Sequence, residues 1–357
     1  MQASIGVSLG VGIGVRRALA LPLTECQYYA PDPSVSNRHP RVLTGPHVVR
    51  DRPYTDASCR RGRPGARWLS FHPQDDSALG VVVVRAIEVA GARIQVEEVG
   101  AGPPALVLHG GLGLDHHAYR SLDPLASALR LVYLDHRGNG RSTGDVATAT
   151  MAQWAEDAAA VARDVGGEDG VIVIGHSFGG FIAQEMAIAH GAEVRALILV
   201  ATTPGQLGDG EQPAPDGPPM PAEFTTMLSA MPESDDEYAA LMRRLAPAYL
   251  HETPADVLVD LLRDTVFSAA AMRRGFEQLA SWSSVDRLAT VTAPVLLLAG
   301  RHDAFTAWPQ SDRIASRLPD AEVVIFEHSA HFPWLEEPDL FFSSVLDWLR
   351  RRDLVDD

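Results

Sequence analysis

Lysine is missing from the 357-residue chain: all 30 basic residues are arginine. Chemistry that needs a side-chain primary amine, such as a Schiff base, is thereby excluded. Cysteine is nearly missing too. Cys26 and Cys59 both fall in the first sixty residues and neither sits in a motif. No disulfide framework, no cysteine-type zinc site and no cysteine nucleophile is expected. Positive charge is in deficit, with 46 acidic residues giving a formal charge of −16. That argues against a nucleic-acid partner, whose phosphates need a basic surface. No apolar run reaches the roughly 18 residues of a membrane span, so no membrane partner is expected. The early stretch "ASIGVSLGVGIGV" precedes its charged pair Arg16–Arg17, the reverse of a secretory signal, and a cytoplasmic location is the expectation.

What is present divides the chain in three. Residues 1–83 are rich in arginine and proline and lack sustained periodicity, which reads as a disordered or non-native extension. From residue 84 the pattern becomes regular. "RAIEVAGARIQVEEVG" alternates about an Ala-Gly turn, as a β-hairpin does. Short apolar strands in "PALVLHGG", "ALRLVYLDHRGNGRS", "VIVIGHSFGG" and "VRALILVA" then alternate with helices, one of them capped by Thr150 and stopping at Gly166. Residues 203–283 break the rhythm with a Gly/Pro-rich loop and several helices without strands. The alternation resumes at "APVLLLAG". The pattern predicts an α/β fold: a mostly parallel central sheet with helices on both faces (84–202 and 284–357), carrying a helical cap (203–283) over the strand C-terminal ends, where such sheets bind ligands.

The ten residues "VIVIGHSFGG" set a serine between glycines just after a buried strand. Gly175-His176-Ser177-Phe178-Gly179 fits G-x-S-x-G, a strained strand-to-helix turn that lifts the serine hydroxyl off the sheet. A serine needs a base, and the base needs a carboxylate to orient it. "PVLLLAGRHDAF" supplies Asp303 after a late strand. "VVIFEHSAHFPWLEEP" supplies His331, with His328 as the alternative nearer the strand end. Glycines in "LVLHGGLG" allow backbone amides to approach a developing oxyanion; the expected donors are Phe178 and Gly111, with Gly110 the weaker candidate. "DHRGNGRS" is read as a structural turn in which Asp135 and Arg137 brace the loop. Loop aspartates and isolated histidines are commonplace, so the coincidence of order and position carries the assignment.

Together these residues resemble the α/β-hydrolase superfamily, and within it the prolyl iminopeptidase-like branch, over roughly residues 85 to 352. "LHGGLG" is similar to that branch's oxyanion turn, "DHRGNGRS" to its D-x-R-G-x-G-R-S loop, and "GRHD" and "SAHFPWLEEP" to its acid and histidine segments. The resemblance implies Ser177 as nucleophile, Asp303 as acid and His331 as base, with no cofactor and no metal. It departs from the branch at Leu112, Phe178 and Ala330. The cap acids Glu233, Asp235, Asp236 and Glu237 lie on helical spacing as a solvated face, and no Trp-Glu pair accompanies the cap's Trp282. The expected activity is therefore hydrolysis of an ester or amide-type acyl bond in a small-molecule or short-peptide substrate. A prolyl aminopeptidase is the alternative within the class, and a non-catalytic ligand receptor the alternative outside it.

Overall fold

A computed structural model describes residues 82–205 and 220–356. Most of the expected N-terminal extension, and part of the Gly/Pro-rich loop, lie outside the described residues. The sheet has eight strands: β1 (Val83–Val89), β2 (Ala92–Val99), β3 (Pro104–Leu108), β4 (Arg130–Leu134), β5 (Val171–His176), β6 (Val194–Val200), β7 (Val295–Gly300) and β8 (Ala321–Phe326). Their order is β1-β2-β4-β3-β5-β6-β7-β8. The hairpin β1–β2 turns at Gly91 and pairs antiparallel to β4; every later pairing is parallel.

Burial explains the sequence pattern. β5 and β7 are buried at every position, as strands covered on both faces must be. β2 lies near the edge and alternates instead. The helices that cover the sheet include α1 (Met151–Gly166), α2 (Phe178–Ala189) and, later in the chain, α7 (Pro309–Ala315), the short α8 (Pro333–Glu336) and α9 (Pro338–Arg351), the last preceded by α3 to α6 described next. Thr150 caps α1 by accepting from the Gln153 amide. α9 buries Phe341, Val345, Trp348 and Leu349, a spacing that makes one apolar stripe.

Between β6 and β7 the chain leaves the sheet for a helical cap: α3 (Ala222–Ser229), α4 (Asp235–Leu245), α5 (Ala255–Leu261) and α6 (Ala269–Leu279). A capping box, Ser234 with Glu237, starts α4. Asp235 accepts from the Ala269 amide at the start of α6 (2.8 Å). Two of the four cap acids thus serve helix termini, and all four stand exposed. The chain's return to the sheet is anchored on α2, where Glu185 takes hydrogen bonds from Trp282 Nε1 (2.8 Å) and both terminal nitrogens of Arg287 (2.8 and 2.7 Å).

Candidate active site

Ser177 stands between β5 and α2 with φ 50° and ψ −115°, a backbone conformation that L-residues rarely adopt. Its neighbours allow the turn. A Cβ on Gly179 would lie 2.0 Å from the Leu108 carbonyl oxygen on β3, and one on Gly175 would lie 2.7 Å from Ala183 Cβ on α2. The strain is held from both sides: the Ser177 amide donates to Val200 O (2.9 Å), and its carbonyl accepts from Thr202 Oγ1 (2.9 Å).

Asp303 and His331 follow β7 and β8 and meet in the interior. His331 Nδ1 lies 2.8 Å from Asp303 Oδ2, with both side chains buried. Thr306 Oγ1 donates to the same carboxylate oxygen (2.5 Å), and the amides of Phe305 and Thr306 donate to the other (2.8 and 3.1 Å). Burial pushes the Asp303 pKa upward, but the His331 ring and these donors outweigh it and hold the carboxyl at about 2. An ionised Asp303 fixes the imidazole proton on Nδ1, leaving Nε2 as the basic nitrogen. Nε2 has no hydrogen-bond partner among the described residues, and His331 and Ser177 line one cavity. Ser177 Oγ is likewise unbonded; nucleophile–base contacts often tighten only around substrate.

His328 lies elsewhere. Its side chain is 68% exposed and Nδ1 faces Glu252 Oε1 at 3.5 Å. His302 stacks on His251 with ring centroids 3.5 Å apart.

The backbone amides also sort themselves. The Gly110 N–H donates to Tyr119 Oη (2.7 Å) and is occupied. The Gly111 amide, and that of Phe178 at the first position of α2, have no acceptor among the described residues, and both residues border the cavity. The Asp135–Ser142 loop does its work beneath them. Asp135 takes His116 Nδ1 (2.6 Å) and the Arg141 amide (2.8 Å), while the Arg137 guanidinium clasps Asp157 on α1 (2.7 and 2.6 Å).

Several supporting residues escaped the sequence reading. Tyr119 Oη, receiving the Gly110 amide, sits 2.7 Å from His176 Nδ1, and His176 Nε2 sits 2.9 Å from the His331 carbonyl oxygen. Burial drives the His176 pKa well down, so the ring is neutral: it accepts from Tyr119 at Nδ1 and donates from Nε2. This chain of contacts ties the Gly110 turn to the histidine loop through the residue before Ser177. That loop is held again by two glutamates. Glu336 accepts from the amides of Ala330 (2.5 Å) and His251 (2.6 Å), and Glu337 from the His328 amide (3.0 Å) and Ser329 Oγ (2.6 Å). The one sequence signal was the acidic pair in "PWLEEP". Among the described residues no three His, Cys, Asp or Glu side chains are grouped to hold a metal ion. Nor, among them, is any helix long and apolar enough to cross a membrane.

With this geometry in view, the chain's relatives acquire meaning. Residues 105–344 match the model of the alpha/beta hydrolase family, and the chain belongs to that family. It is 27% identical over 283 residues to the proline iminopeptidase PfmaB of Pestalotiopsis fici, covering 75% of this chain and 100% of that one. It is 29% identical over 258 residues to a pimeloyl-[acyl-carrier protein] methyl ester esterase of Nitrosomonas europaea, covering 71% and 98%. In fold it is similar to the esterase RhEst1 from a Rhodococcus species (TM-score 0.62, 24% identity, 75% and 98% covered). Family membership makes it a protein of the hydrolase fold.

Proposed function

We propose that the protein is a serine hydrolase that cleaves an ester or similar acyl bond through an acyl-enzyme. Ser177 Oγ attacks the acyl carbon and its proton passes to His331 Nε2. Asp303 stabilises the imidazolium that results and keeps the ring oriented. The tetrahedral oxyanion is received by the amides of Phe178 and Gly111. Collapse breaks the bond to the leaving group, which departs with the proton from His331, and leaves the acyl group esterified to Ser177. Water then gives a proton to the same imidazole as it attacks the acyl carbon, and the free acid leaves as Ser177 is reprotonated. The observation that supports this most is the 2.8 Å contact between Asp303 and His331, with His331 opening on the cavity that Ser177 borders.

A second reading is favoured by relatives named as proline iminopeptidases, PfmaB and one from Heyndrickxia coagulans at 25% identity. It makes the same chemistry an exopeptidase of the iminopeptidase-like branch. Labelling with a fluorophosphonate followed by intact-mass analysis tests the first reading. The wild type should gain one adduct, Ser177→Ala none, and that substitution should lower hydrolysis of p-nitrophenyl hexanoate by roughly 10⁴- to 10⁶-fold. Folded wild type that takes no label and turns over no ester would point to a ligand receptor. Turnover of proline-naphthylamide but not of esters would favour the exopeptidase.

A further inference from the structure

The cavity above Ser177 is small, about 190 Å³, below the roughly 300–1,000 Å³ typical of drug-sized ligands. Its roof is Phe224 and Met227 of α3, Tyr238 and Met242 of α4, and Met272 and Phe276 of α6. Phe178, Phe181 and Phe305 complete an apolar wall; among the described residues no aspartate, glutamate or arginine lines the cavity. The cap acids stand exposed, away from that wall. An ammonium or carboxylate on the acyl group would therefore be buried unpaired, at high cost.

An inventory of its polar atoms leaves one over. Ser177 Oγ, His331 Nε2 and the amides of Gly111 and Phe178 are committed to the reacting carbonyl. Thr306 Oγ1 is spent on Asp303 (2.5 Å), and Tyr238 Oη on the Leu112 carbonyl (2.5 Å). Tyr249 is the exception. Its ring stacks on Phe305 (centroids 4.2 Å apart, 17° between planes) and its carbonyl holds the His331 amide (3.0 Å). Its Oη has no hydrogen-bond partner among the described residues and is not sealed from solvent, and the residue lines the cavity. Burial, then the nearby Asp303 charge, raises its pKa, so it remains a donor. A ligand that displaces water from this hydroxyl without offering an acceptor leaves the donor unpaired, and a site built that way discriminates strongly.

We propose that the site selects esters of short, uncharged acyl groups bearing one acceptor oxygen, which the Tyr249 hydroxyl binds. This rests on the acyl-hydrolase reading above. The test compares p-nitrophenyl hexanoate with its 4-oxo and 5-oxo forms, on wild type and on Tyr249→Phe. The wild type should favour at least one oxo ester by about tenfold in kcat/KM. In Tyr249→Phe that ester should slow while plain hexanoate gains, because the unpaired hydroxyl is gone, and the ratio should fall to near one. General damage lowers both rates together and leaves the ratio standing. Tyr249→Leu serves as the second variant should the first fail to fold, with the same fall expected. A wild type that favours neither oxo ester, or a ratio that survives both substitutions, overturns the proposal. Ester turnover itself reports separately on Ser177: its absence in folded wild type would defeat the hydrolase reading instead.

Discussion

The two sides of the cavity are built on opposite principles. The sheet side is fixed by directed bonds: Asp303 collects four donors including the His331 ring, and the histidine loop is gripped by Glu336, Glu337, His176 and the Tyr249 carbonyl. The cap side meets the cavity mainly through methionine and phenyl groups whose positions follow from packing, with the Tyr238 hydroxyl bonded to the Leu112 carbonyl the exception. Directed bonds suit atoms that must be held within fractions of an ångström for proton transfer. Methionine is adaptable and fills irregular space. On the proposed serine-hydrolase reading, geometry for chemistry resides on one wall and shape for the substrate on the other.

Substitutions can break this contrast. The largest effect is expected from Asp303→Asn, which preserves size but presents the imidazole in the wrong tautomer; kcat for p-nitrophenyl hexanoate should fall about 10⁴-fold. Steady-state kinetics checks it, and a fall under tenfold would separate Asp303 from the chemistry. On the other wall, Met242→Ala should raise KM about threefold with kcat nearly kept. It should also lower stability in urea by about 2 kcal/mol, near the small end for such truncations because the side chain already borders open space. A large kcat loss there would erase the division between the walls.

The smallest effect is a pH dependence beneath the sheet-side wall. Burial alone would lower the His116 pKa, but hydrogen bonds to Asp135 and Glu97 raise it to about 9. A raised folded-state value means that the protonated ring adds stability in full below its unfolded value near 6.5 and loses it as pH climbs through 9. Melting temperature should therefore decline between pH 7 and 10 in the wild type, and more shallowly in His116→Gln.

How much of this was legible beforehand follows the same division. Periodicity and punctuation gave the element order: Thr150 and Gly166 bound α1 as expected, and "PDLFFSSVLDWLRR" is α9 residue for residue. The positions of Ser177, Asp303 and His331 were readable because each lies in the loop that leaves a strand's C-terminal end, Ser177 immediately after β5 and the others a few residues beyond β7 and β8, so local sequence states its place. Tyr119 was not, because its partner His176 lies 57 positions away and only the fold joins them. The run His117–Ser127 forms a 3₁₀ helix with Pro124 inside, a conformation with no sustained apolar period to announce it. The cap appeared only as helices in bulk. Its contribution is a surface assembled from three of them, α3, α4 and α6, and the free hydroxyl of Tyr249 becomes visible only when every neighbouring polar atom has been assigned.

One corner of the roof is riveted to the floor. The Ser268 amide, at the start of α6, donates to the Gly113 carbonyl in the glycine turn after β3 (2.7 Å), and a Cβ on Gly113 would lie 2.1 Å from the Ser268 carbonyl oxygen. Main chain thus meets main chain with no side chain between to act as a cushion. The turn carrying the Gly111 amide and the start of α6 are therefore coupled directly, whereas α3 buries Met227 alone. A side chain at position 113 would wedge α6 away from that turn, so one glycine sets how near the roof can approach the backbone around Gly111.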